Sequence, residues 1–188
     1  MLHRLLLVLA LIVVPTGSIA DVIDARHVEI AQDEDGLKVN ADFALDLSPR
    51  LDEALHHGVP LYFVVEFELV RPRWYWFDEK AASERLVLRL LYHTLSRQYR
   101  VSRGALYQNF ASLDEALRTM GTVRNWTVVE PERLKPEENY VASLRMRLDT
   151  TQLPKPFQVT ALTNREWTLA SDWVRVMFTA GHAGGASK

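Results

Sequence analysis

The sequence predicts a mainly β fold, an antiparallel sandwich carrying two or three short helices. Three observations predict it. Several runs alternate apolar and polar residues with period two, as half-buried strands do. Gly, Pro and Asp punctuate those runs at short intervals. The longest apolar run beyond the N-terminus, Gly58 to Trp76, reads as a central strand, with Leu61, Phe63, Val65, Phe67 and Leu69 on one face and Tyr62, Val64, Glu66, Glu68 and Val70 on the other. Aromatic and β-branched residues suit a pleated surface, and Pro72 ends the run because it cannot donate to a sheet ladder.

In chain order, residues 1–20 have the form of a signal peptide: a short cationic start through Arg4, an apolar run from Leu5 to Val14, and a small-x-Ala site at Ser18-Ile19-Ala20. That run is shorter than the roughly 20 residues a spanning helix needs, so cleavage after Ala20 is expected in preference to a retained anchor. A single domain over 21–180 and a disordered tail over 181–188 follow, with no transmembrane segment after cleavage. There is no cysteine, which excludes a disulfide framework and lipid attachment through a lipobox. The 188 residues carry 22 basic and 24 acidic side chains, and loss of Arg4 with the leader makes the balance more acidic. Nucleic acid is therefore not an expected partner.

Val28 to Ala31 and Leu37 to Leu47 read as a hairpin turning at Asp33-Glu34-Asp35-Gly36. Asp-Gly is a turn signal, and no Glu follows at the spacing of a calcium loop. Ser48-Pro49 opens a helix that buries Leu51, Ala54 and Leu55 and closes at Gly58. His56 and His57 end it as solvated residues; adjacent positions point about 100° apart and do not chelate. No metal or other cofactor is expected.

Glu84 to Thr94 alternates again, with Leu86, Leu88, Leu90 and Tyr92 inward. Pairing with the central strand would set Glu66 and Glu68 against Arg85 and Arg89, which would hold those carboxylates ionised and unsuited to general-acid work. Arg97, Arg100 and Arg103 continue the basic character as a solvated stripe. Ser112-Leu113-Asp114-Glu115 is a capping box for a helix ending at Gly121. After a strand at Trp126 to Val129, Leu134-Lys135-Pro136 leads to Tyr140, and Tyr140, Ala142, Leu144, Met146 and Leu148 alternate inward. That pattern resembles the tyrosine corner of immunoglobulin-like and fibronectin type III sandwiches, and the expected fold is an antiparallel sandwich of that kind. Residues 157–162 read equally as a helical turn or an irregular edge, and Trp167 to Phe178 as a last strand with a bulge near Ser171-Asp172.

The leader, the Gly58-Val59-Pro60-Leu61 approach to an aromatic strand, Tyr92 through Gln98-Tyr99-Arg100-Val101, and the Trp167 to Trp173 ending resemble the domain of unknown function 4390 family. The resemblance implies a periplasmic protein of Gram-negative bacteria with no assigned activity, and a membrane sensor kinase as a neighbour and candidate partner. The functional expectation is a binding or adaptor module, with Trp74, Trp76, Arg97 and Arg100 as binding residues and no catalytic residue. The alternatives are a hydrolase of envelope material and a carbohydrate binder stacking sugars on Trp74 and Trp76. Against the hydrolase stand the missing Gly-x-Ser-x-Gly elbow, His-x-x-x-His pair and phosphate loop.

Overall fold

The computed structural model describes residues 23–73, 75 and 77–181. The leader, Trp74, Trp76 and positions 182–188 lie outside the described residues. Nine strands run β1 (Asp24–Asp33), β2 (Gly36–Ala44), β3 (Leu61–Arg71), β4 (Glu79–His93), β5 (Gln98–Arg103), β6 (Leu106–Phe110), β7 (Thr122–Val129), β8 (Asn139–Leu148) and β9 (Val174–Thr179) among these residues, with helices α1 (Pro49–His56), α2 (Leu113–Gly121) and α3 (Lys155–Thr163). The fold is mainly β, with two antiparallel sheets of order β1-β2-β7 and β6-β5-β4-β3-β8-β9.

β3 is the centre of the larger sheet because one of its faces is apolar at every position. Leu61, Phe63, Val65, Phe67 and Leu69 are all fully buried, and they share a single core with Leu37, Val39 and Ala41 of β2 and Val123, Val128 and Val129 of β7. Across that core Phe67 meets Trp126 of β7 edge to face, at 6.4 Å between ring centres.

The local signals act as their chemistry requires. The hairpin turns at Gly36, whose φ of 116° suits only glycine. Lys38 bridges Asp33 at 2.7 Å and Asp35 at 2.8 Å, so two of the three carboxylates of the acidic turn share one lysine within the chain. Ser48 Oγ caps α1 by accepting from Leu51 N–H at 3.2 Å, and it donates to the Glu166 carbonyl at 2.7 Å. Ser112 Oγ accepts from Glu115 N–H at 3.3 Å at the start of α2. Tyr140 is buried, and its hydroxyl accepts from the backbone N–H of Lys135 at 3.1 Å. This is the tyrosine corner expected of the sequence, further braced by Phe178 stacked at 5.7 Å.

Three readings need correction and two are sharpened. Gly121 does not end α2 by adopting a left-handed backbone; it is the last helical residue, and a Cβ there would run into the Phe43 carbonyl oxygen of β2. Residues 157–162, open between a helical turn and an irregular edge, belong to α3, which rests Phe157 and Ala161 on the core. The last strand is shorter than expected. Trp167 ends a 3-10 turn and sinks into the core, because Ser171 takes both backbone groups of Met146: its N–H donates to the Met146 carbonyl at 2.8 Å and its Oγ accepts from the Met146 N–H at 3.0 Å. Regular pairing resumes only at Val174. His56 is exposed at the end of α1 as expected, and its ring also packs 4.8 Å from Tyr92 with Nε2 2.9 Å from the Tyr99 hydroxyl. Gly181, expected in the tail, is held by Gln32, to which it both donates and accepts.

The corner is testable by one atom. Tyr140→Phe keeps the ring and leaves the Lys135 N–H without its acceptor, for an expected loss of about 1 to 3 kcal/mol and a fall in Tm of roughly 2 to 10 °C. Tyr62→Phe, on the outer face of β3, is expected to stay within about 0.5 kcal/mol of wild type. Equal melting of both variants with wild type in thermal scans would remove the corner from the account.

Candidate functional site

The face of the large sheet turned away from the core is built by the same alternation that builds the core. β3 sends Tyr62, Val64, Glu66, Glu68 and Val70 to it, and the pairing registers determine what lies beside each one. Glu66 stands between Arg85 of β4 and Arg145 of β8; Val64 between Val87 and Arg147; Tyr62 opposite Arg89. Farther out, Arg89 faces Ser102 and Leu91 faces Arg100 on β5, while Ser143 faces Arg175 on β9. Six arginines among the described residues thus share one sheet face.

Glu66 is the hub of this array, although it is only 6% exposed. Arg145 reaches its Oε2 at 2.7 Å through Nε, Arg147 reaches Oε1 at 2.9 Å, and Arg85 lies 3.6 Å away. Trp173 covers the other side of Arg145, with the guanidinium 4.4 Å from the ring centre. Burial alone would raise the Glu66 carboxyl, but the hydrogen bonds from Arg147 and Arg145 outweigh it and hold the group below its ordinary value. Glu66 is therefore an anchored anion, the opposite of a general acid. Three guanidinium groups around one carboxylate leave an excess of donors, and guanidinium forks suit carboxylate, phosphate or sulfate oxygens.

Arg85 pairs with Glu66 as the sequence led one to expect. Glu68 does not meet Arg89: the register sets Glu68 opposite Ser83, and the shift between Leu69 and Val70 brings Lys80 to within 3.1 Å of it. Arg89 instead lies over the Tyr62 ring at 5.8 Å. The stripe of Arg97, Arg100 and Arg103 is split. Arg97 occupies the β4–β5 turn with φ 52°, Arg100 is on the outer face, and Arg103, an odd number of positions later, is on the core side opposite Leu88. Arg100 is held by Asn109 at 2.9 Å and lies 4.5 Å over Tyr107. Trp74 and Trp76 lie outside the described residues. Arg145 and Arg147, the principal partners of Glu66, were missed as site residues; their outward alternation was visible, but not that β8 lies beside β3.

A pH dependence follows, with its sign set by the depressed carboxyl. Glu66 stabilises the fold when ionised, fully so above the ordinary carboxyl value of 4.5, and this contribution is lost as pH falls below it toward the folded-state value. Glu66→Gln is expected to cost about 1.5 to 3 kcal/mol at pH 7. The gap between wild type and variant should narrow in urea melts below that pH. A gap of constant size from neutral to acid conditions would contradict the pairing.

No helix of the described residues is long and apolar enough to cross a membrane, and no group of three or more His, Cys, Asp or Glu among them is arranged to hold a metal ion. None of the curated proteins and none of the solved structures matches the chain. A family model described as Domain of unknown function (DUF4390) matches residues 20–177, nearly all of the described chain. By that match the protein belongs to the DUF4390 family.

Proposed function

We propose that the protein is a binding or adaptor module of the bacterial cell envelope, exported to the periplasm by its N-terminal leader, which docks an acidic partner protein on the outer face of its large sheet. The observation that carries this reading is the distribution of charge. A chain of net charge −2 gathers Arg85, Arg89, Arg100, Arg145, Arg147 and Arg175 on one face, against Glu66 and Glu68. A concentrated patch of one sign raises the encounter rate with its complement and rejects partners of like charge.

The face also has the composition of a contact surface. Arginine and aromatic residues dominate interface hot spots, and here Arg89 lies on Tyr62, Arg100 on Tyr107 and Arg145 on Trp173. Held by these rings, the guanidinium groups lose less freedom on binding than free surface arginines would. A membrane sensor kinase, the neighbour implied by the sequence resemblance, is the class of partner proposed, with an acidic patch on its periplasmic part. The hydrolase alternative loses the paired carboxylates, since Glu66 is clamped by arginines and Glu68 is taken by Lys80.

Affinity capture from crosslinked envelopes tests this. Wild type is expected to recover one specific membrane protein, and Arg100→Glu with Arg175→Glu to reduce that recovery at least about tenfold, as two reversed charges in a steered contact should. Both positions lie outside the Glu66 cluster, so the fold should persist. Undiminished recovery by the double variant would refute docking on this face.

A further inference from the structure

The arginines of the outer face are not spread evenly over it. Arg100 of β5 is level with Leu91 of β4, and Arg89 is the next outward position along β4. Arg89 is level with Tyr62 of β3, and the next outward position of β3, Val64, is level with Arg147 of β8. Arg145 follows along β8, level with Glu66, and Ser143 after it is level with Arg175 of β9. Each move to the next strand is thus also a move along the strands in one constant direction. Five arginines among the described residues form a single diagonal stripe from β5 to β9, and Arg85, Glu66 and Glu68 all lie to one side of it.

With strands roughly 4.8 Å apart and outward positions roughly 6.7 Å apart along a strand, the stripe is about 33 Å long, and each of the five stays within about 4 Å of its axis at the backbone. Along that axis the arginines are spaced by about 8, 11, 6 and 8 Å, the widest gap falling over β3, which contributes Val64 and no cation. An extended chain presents same-face side chains about every 6.7 Å, so carboxylates at its first, third, seventh, ninth and eleventh residues fall within about 2 Å of the five positions. Strands and cross-strand rows of a twisted sheet run straight while its diagonals curve, and a flexible extended chain follows such a curve where a rigid helix touches only part of it. Arg145 and Arg147 are held by Glu66, yet a guanidinium carries five N–H donors and each keeps some for a second carboxylate.

We infer that the partner reaches this face with an extended acidic segment of about eleven residues, laid along the stripe with its carboxylates on Arg100, Arg89, Arg147, Arg145 and Arg175. The inference rests on the docking reading and specifies the partner's chemistry as a linear run of alternate carboxylates in place of a compact acidic patch.

A fluorescein-labelled peptide, Glu-Ser-Glu-Ser-Ser-Ser-Glu-Ser-Glu-Ser-Glu, titrated with the purified protein at low salt and followed by anisotropy, tests it. Saturable binding is expected below about 1 mM, and the isomer with its five glutamates contiguous should bind at least about fivefold more weakly at equal charge. Arg100→Glu and Arg175→Glu, at opposite ends of the stripe, should each weaken the alternating peptide about fivefold and combine multiplicatively, as independent contacts on one ligand do. Arg103→Glu, the same change of charge on the core side of the sheet, should stay within about twofold of wild type. Equal binding of the two isomers, or sensitivity to one end of the stripe alone, overturns the inference. Absence of saturable binding up to about 1 mM overturns it too. Neither result removes docking on this face, which the envelope capture decides separately because a compact acidic partner would still be recovered there.

Discussion

A buried carboxylate at the middle of a sheet has to be answered by cations, and Glu66 is answered from both sides of its own strand. Arg145 and Arg147 reach it from β8 and Arg85 from β4, so one side chain ties together three neighbouring strands of the large sheet. The inner face of β3 supplies the hydrophobic drive, which is large and non-directional. Its outer face supplies direction. A slip of one residue in either neighbour would turn the arginines toward the core and leave Glu66 buried and alone, a state that costs several kcal/mol. Burial thus makes the sheet, and we read the Glu66 cluster as what discriminates its register.

What could be read from the sequence was what short-range chemistry decides. The β3 alternation, the Ser48 and Ser112 caps, the Asp33–Gly36 turn and the Tyr140 corner each depend on residues a few positions apart. All five are present. What stayed hidden depends on strand order and register. Glu68 was given the wrong partner because a shift between Leu69 and Val70 cannot be seen in either strand alone. Arg145 and Arg147 had no assigned role until β8 was found beside β3. Gly121 looked like a helix stop, whereas its reason is the nearness of Phe43 on β2. The last strand was overextended because Ser171, an ordinary polar residue in sequence, captures Met146 in space.

The same hub shapes the proposed docking face. Had the arginines been matched one for one by carboxylates, the outer sheet would be a neutral, salt-bridged surface of little use for recognition. Instead one anion orders three cations, and stacking on Tyr62, Tyr107 and Trp173 orders others, which leaves a positively charged face on an acidic protein.

The dependence of the fold on this cluster is measured most directly by a double-mutant cycle on Glu66→Gln and Arg145→Met, the methionine retaining a contact with the Trp173 ring. Urea unfolding of the four proteins at neutral pH is expected to give a coupling of about 1.5 kcal/mol or more between the two positions. Additive losses, with a coupling inside about 0.5 kcal/mol, would show that Glu66 does not organise the arginine face and would contradict the account.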